Sequence, residues 1–342
     1  MSNEKIFPHY RLGTEALDGD AVSFVATRPS VVLLHDGHLE PAFVAKVVEV
    51  APTTPTILDV NHSSAEVLER LSPETGVLYA CLQDDLGLPF VDAAYARQMK
   101  VRPVWYAQPR DYLSRNMHAR RSLTTEFDRQ RAGGYFKLDF GYGDFANLIQ
   151  AFESTRGRPG WIVEVGCFCG SSAGALLSYV ASRQAERGNP PLKFHFMDVF
   201  EGFDYPEAHA SSDMLWAGTH ATDGLEAVRA RIQAYGNDAA GMRIEVSRNN
   251  VITDPVPEEI VRDGVRMANI DVDLYEAVAA GLARYAPLMV PGGIMICEDA
   301  GHTPLLIGAL KAVEEFMDSE AGRQFCRIDL ASGQTLLIKT GA

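Results

Sequence analysis

The chain contains no apolar run of membrane-spanning length, which excludes a transmembrane helix. Its first residues, MSNEKIFPHY, are charged and polar and carry no signal-peptide core, so a cytoplasmic protein is expected. Cysteine is scarce. Five in 342 residues, at no regular spacing, read as reduced thiols rather than a disulfide scaffold. Cys167 and Cys169 lack the paired spacing of zinc sites, and small residues in a tight strand-to-helix loop explain them. Basic charge is also short. Against 45 Asp and Glu stand 31 Lys and Arg, for a net charge of -14, and no counterion-releasing surface for a phosphate backbone is evident. Nucleic acid is therefore not an expected partner, and the Arg-rich stretch from Arg110 to Arg131 reads as a solvated helix face. There is no GxGxxG loop, no internal repeat and no low-complexity tract, and the first absence counts against a dinucleotide-binding fold.

What is present is apolar material for two cores: 46% of the residues are hydrophobic. From Val22 to about Pro109, short apolar runs such as SVVLLHDG and TGVLYACLQDD alternate with helix-like segments such as PAFVAKVVEVA and AEVLERL. This predicts a small α/β unit, an accessory domain over 1–110. His35, Asp36, His38, Asp59, Asn61 and His62 fall at its strand ends, where turn and capping roles account for them. Residues 111–144, with mixed charge and a glycine pair at Gly133, read as a helical connector that could cover its neighbour as a lid.

Over 145–342 the alternation lengthens. Strands WIVEVG, LKFHFMDVF, MRIEVS, VRMANIDVD and GGIMICED are separated by amphipathic segments, and FCRIDL and TLLIKT close the chain as a hairpin. The prediction is a doubly wound α/β domain, a mostly parallel sheet with helices on both faces.

Two of those strands end in acids. If IDVDLYE at Ile270 and PGGIMICEDAGH at Pro291 belong to neighbouring parallel strands, Asp271, Glu298 and Asp299 converge at one carboxyl edge. Carboxylates about 5 Å apart repel by roughly 3 kcal/mol at an effective dielectric of ~20. A hard divalent ion such as Mg²⁺ resolves that conflict, since it takes oxygen ligands and keeps positions open for water or substrate.

Upstream, EVGCFCGSS ends one strand and opens a helix, with Gly166 and Gly170 bracketing the turn. Glycines let a ligand approach the backbone, and the helix start offers free amide donors. The next strand ends at Asp198, where nucleoside-binding sheets place an acid for the ribose hydroxyls.

EVGCFCGSS, DVFEGF, IDVDLYE, PGGIMICED and GALKAVEEF occur in the order seen in the macrocin O-methyltransferase family, which this sequence resembles over roughly its last 190 residues. That family comprises class I methyltransferases of Rossmann-like fold that use S-adenosylmethionine and Mg²⁺ to methylate sugars in antibiotic pathways. The resemblance implies that Glu164, Gly166, Gly170, Ser171 and Ser172 hold the methionine portion and Asp198 the ribose. It also implies Asp271, Glu298 and Asp299 as metal ligands, a small glycosylated or diol-bearing metabolite as substrate, and a homo-oligomer. Two features depart from the family: Glu298-Asp299 replaces its usual Asp-Asp, and SRNNVITDPVP at Ser247 lacks its aromatic residues. The first 110 or so residues lie outside the resemblance, and their role stays open.

Methyl transfer from a sulfonium needs a positioned oxygen nucleophile, and an aliphatic hydroxyl does not ionise unaided near neutrality. Chelation of a vicinal diol by Mg²⁺ would lower that barrier, with Asp271 or His302 collecting the proton. Asp273 and Tyr275 are expected to brace the loop or touch substrate, and Glu276 to belong to the following helix start. Two alternatives stand beside this reading: N- or carboxyl-methylation on the same fold, and a catalytically silent binding or assembly protein.

Overall fold

The computed structural model describes residues 12–81, 84–104, 117–134, 141–187, 192–211, 217–237, 241–302, 306–330 and 332–341. MSNEKIFPHY, the GNPP loop and both flanks of the 111–144 segment lie outside the described residues. Two compact units are present, Met1–Met117 and His118–Ala342. The helix within the 111–144 segment groups with the second unit. Among the described residues no helix is long and apolar enough to cross a membrane.

In the first unit, strands β1 (Val31–His35), β2 (Thr56–Asp59), β3 (Gly76–Ala80) and β4 (Lys100–Pro103) form a parallel sheet in the order β2-β1-β3-β4. Helices α1 (Gly19–Thr27) and α2 (Pro41–Val50) bury Val25, Phe43 and Val47 against one face, and α3 (Asp84–Ala96) covers the other with Phe90 and Ala94. Local chemistry sets the ends. Asp18 caps α1 by accepting from Ala21 N at 2.7 Å, and Pro41 starts α2 where no amide donor is needed. AEVLERL, expected to be helical, forms a 3-10 turn over Ala65–Arg70, capped by Ser64. At the strand ends Asp59 takes the Asn61 amide at 2.9 Å, His35 Nδ1 accepts from Gly37 N, and His38 sits 3.0 Å from Asp36. These contacts close turns within the loops themselves.

The second unit opens with α4 (Met117–Gly133) and α5 (Gly141–Ser154), then alternates strand and helix. Its elements are β5 (Trp161–Val165), α6 (Ser171–Arg187), β6 (Leu192–Asp198), α7 (Pro206–Ala210), α8 (Leu225–Asn237) and β7 (Met242–Arg248). After these come α9 (Glu258–Asp263), β8 (Val265–Ile270), α10 (Tyr275–Tyr285), β9 (Met289–Cys297), α11 (Ile307–Asp318), β10 (Phe325–Asp329) and β11 (Thr335–Lys339). Strand order is β10-β11-β9-β8-β5-β6-β7, with β11 antiparallel to both neighbours. This is the doubly wound, Rossmann-like α/β fold expected from the alternation.

Every residue of β5 and β8 is buried, as befits central strands covered on both faces. One core packs Val163, Ile270 and Met295 under α10 and α11, and the other packs Ile162, Phe194 and Ile296 under α5 and α6. Each such side chain contributes about 1.5–3 kcal/mol when fully buried. Gly281 lets α10 lie close to β8, because a Cβ there would stand 2.9 Å from Ile270 Cγ2. The chain runs from β5 outward through β6 and β7, then returns to β8 on the other side of β5. That reversal leaves a crevice above the carboxyl ends of β5 and β8, the place where open α/β sheets bind ligands.

Candidate active site

Beyond β5 the backbone turns sharply at Gly166, whose φ is +96°. A side chain here would overlap the Asp271 carbonyl oxygen, so the loop after β5 touches the loop after β8 only because this residue is glycine. The amides of Gly166 and Cys167 both donate to the Met197 carbonyl, at 2.7 and 3.1 Å, and draw the loop towards β6. Gly170, at φ +84°, closes a turn onto Cys167 O and faces Ile232 of α8. Between them Phe168 adopts φ +43°, a conformation that costs a non-glycine residue about 1–2 kcal/mol. Its amide donates 2.8 Å to Asp198 Oδ2, while Phe200 N donates 2.7 Å to Asp198 Oδ1. Asp198 thus clips the glycine loop to the end of β6. Burial is the largest influence on this carboxyl and raises its pKa, against the backbone hydrogen bonds.

Glu164 is 4% exposed. Asn269, its register partner on β8, donates from Nδ2 to Oε1 at 2.9 Å, and Oε2 is buried with no partner. Burial pushes the Glu164 pKa up to about 7. Ser172 and Asn269 share a small cavity with it, floored by Leu148, Phe196 and Met267.

The acids gather beside this loop. Asp271 N donates to Val165 O and Glu298 N to Ile270 O, so the ends of β5, β8 and β9 advance in step. Burial, and then the charges of Asp299 and Glu298, raise the Asp271 pKa well above the ordinary carboxylate range. Asp273, held at φ +54°, contacts the Asp299 carboxyl and is raised likewise by burial and by Asp299. Asp273 was expected to brace the loop or touch substrate; it lies in the acid cluster beside Asp299.

Glu298 behaves differently. Its Oε2 accepts from Gln334 Nε2 at 2.6 Å, and Asn147 donates to Gln334 Oε1 at 2.7 Å. Its nearest electrostatic neighbour is Asp144 rather than Asp271, and burial with that charge raises its pKa. Asp144, from α5, is itself raised to about 6, by burial first. Glu298 therefore serves the hairpin turn and α5 while its charge still acts on Asp271.

His302 was expected as an alternative proton acceptor, and its surroundings oppose that role. Nδ1 lies 3.3 Å from Asp299 Oδ1 and Nε2 lies 3.0 Å from the Ser332 carbonyl. The Asp299 hydrogen bond is the main cause of a pKa raised to about 9. A ring held as a cation, donating from both nitrogens, has no lone pair for a substrate proton. Tyr275 opens α10 and donates to Glu315 at 2.6 Å, and Glu276 follows in the first helical turn.

Among the described residues, no three His, Cys, Asp or Glu side chains stand arranged to hold a metal ion. The donor chemistry nevertheless fits a hard cation. Asp299 Oδ2 is buried without a partner, Asp271 faces it with like charge, and Mg²⁺ commonly takes one or two carboxylates plus water and substrate oxygens.

No protein-family model matches the sequence, and no curated protein matches it. Solved structures do. The O-methyltransferase NovP is 18% identical over 58% of this chain and 80% of its own, with a TM-score of 0.46. CalS11, a calicheamicin methyltransferase, is 17% identical over 68% of this chain and 94% of its own, at 0.48. TomG of Streptomyces achromogenes, an O-methyltransferase of tomaymycin synthesis, is 14% identical over 65% of this chain and 90% of its own, at 0.38. At these identities and TM-scores, what the chain does is read from its own residues.

Proposed function

We propose that the protein is an S-adenosylmethionine-dependent O-methyltransferase, assisted by a divalent cation, that acts on one hydroxyl of a vicinal diol in a sugar or specialised metabolite. One observation carries this reading. At the crevice between β5 and β8, Gly166 lies directly against Asp271, which brings a nucleoside-type loop and a buried acid cluster to a single edge.

When bound, S-adenosylmethionine supplies an electrophilic methyl group and Mg²⁺ lowers the pKa of the acceptor hydroxyl. Asp198 would accept from the ribose hydroxyls, and Glu164 would accept from the methionine ammonium. Asp271 and Asp299 would hold the cation. Beside a bound cation the Asp273 carboxyl would be ionised, and it could then take the hydroxyl proton. The low dielectric around these acids strengthens each of these interactions.

The test uses purified protein, S-adenosylmethionine and a panel of diol-bearing glycosides. A singly methylated product that disappears with EDTA and returns with Mg²⁺ is expected. Turnover that ignores the chelator removes the metal from the mechanism, and methylation of an amine in place of a hydroxyl rejects the reading.

A further inference from the structure

The glycine loop is gripped from its outer side. Gln130, on α4, is fully buried, and its Nε2 donates to the Ser171 carbonyl at 2.9 Å and to Glu126 Oε1 at 2.8 Å. Glu126 is buried as well. Its Oε1 also takes the Tyr235 hydroxyl from α8, and its Oε2 takes Arg129 Nε at 3.2 Å. From α8 again, Arg231 donates from Nη1 to the Cys169 carbonyl across 3.1 Å, with Nη2 anchored on Asp223. Two loop carbonyls, two residues apart, are thus held by α4 and α8, and Glu126 joins these helices. Gly174 provides the room: a Cβ there would stand 2.8 Å from Tyr235 Oη and 2.9 Å from Glu126 Oε1.

As packing alone this arrangement is unfavourable. Burial raises the Glu126 pKa, and Gln130 Oε1 is buried with no partner. Apolar side chains of similar volume would join the same helices at lower cost. Directional bonds contribute position instead. Because the peptide unit is planar, fixing the Ser171 carbonyl also fixes the Ser172 N–H opposite it, one of the unshared donors at the start of α6.

We propose that Glu126, Gln130 and Arg231 are positioning residues that keep the glycine loop in its ligand-ready shape, so that α4 and α8 set cofactor affinity through the loop. This rests on the reading of that loop as the S-adenosylmethionine site.

Gln130→Met keeps side-chain length and removes the donor. In calorimetry the full chain with this substitution is expected to bind S-adenosylmethionine roughly threefold to tenfold more weakly, the worth of one anchoring hydrogen bond. The loss should fall on the cofactor KM rather than on kcat. Glu126→Ala, which removes the acceptor for Gln130 and Tyr235, should match Gln130→Met. Hydrogen exchange without ligand reads the loop itself: amides 170–173 should exchange faster in Gln130→Met while those of β5 do not change. If Gln130→Met does not fold, Tyr235→Phe, which removes one hydroxyl, carries the same measurements. A wild-type chain that binds no S-adenosylmethionine refutes the proposed function, and loop protection then decides the clasp alone. Unchanged protection at 170–173 overturns the clasp, and so does unchanged affinity where the wild type binds.

Discussion

Asn269 Nδ2 donates to Glu164 Oε1 across 2.9 Å, at the level where β8 and β5 pair these two residues in register. The bond joins the two strands that frame the crevice, and the carboxyl it holds is buried beside Ser172.

Asn269→Leu removes the donor and leaves both Glu164 oxygens without Asn269. A buried polar group deprived of its partner costs about 1–3 kcal/mol, and chemical denaturation should show a loss of that size. An unfolding free energy equal to that of the wild type would mean that this bond is replaced by another.

Glu164 also gives stability a pH dependence. Its folded pKa, about 7, lies above its ordinary value of 4.5, so the protonated carboxyl favours the folded state. That contribution is complete below about 4.5 and is lost as pH rises through about 7. In the absence of ligand, Glu164→Gln should remove this decline. Parallel thermal melts of the two proteins from about pH 5 to 8 test it, since curves that track each other would assign the proton elsewhere.

Asp271→Asn should separate activity from stability. It deletes one of several mutually repelling buried acids, so the ligand-free protein is expected to gain about 1–3 kcal/mol, while turnover is lost and cofactor affinity holds. A mutant that loses cofactor binding in equal measure would put Asp271 on the wrong side of the crevice.

Glu298→Gln distinguishes the two acids of the Glu-Asp pair. Gln334 can still donate to the new amide oxygen, and Asp271 with Asp299 remain in place, so activity within about threefold of wild type is expected, less than one hydrogen bond's worth of change. Asp299→Asn should abolish turnover. Equal loss in both variants would make Glu298 a ligand after all.

The strand alternation of the second unit and the adjacency of its acid-tipped strands were legible in the sequence, because fully buried β-branched runs such as WIVEV and VRMANI announce central strands. AEVLERL, read as helical, winds as a 3-10 turn instead, with Ser64 capping its start and Leu71 N closing back on Leu68 O. Roles that depend on partners distant in the chain were not legible. Gln334 meets Glu298 only through the closing hairpin, and Gln130 meets Ser171 only once α4 docks. His302 looked like a base on its intrinsic pKa, and only the Asp299 carboxyl and the Ser332 carbonyl around it reverse that.

The antiparallel insertion of β11 between β9 and β10 bears on how the molecule is made. Gln334 and Ser332 lie in the turn before β11, yet they support Glu298 and His302, residues the ribosome has produced about thirty positions earlier. Folding of the acidic edge therefore waits on a turn about thirty residues further along the chain.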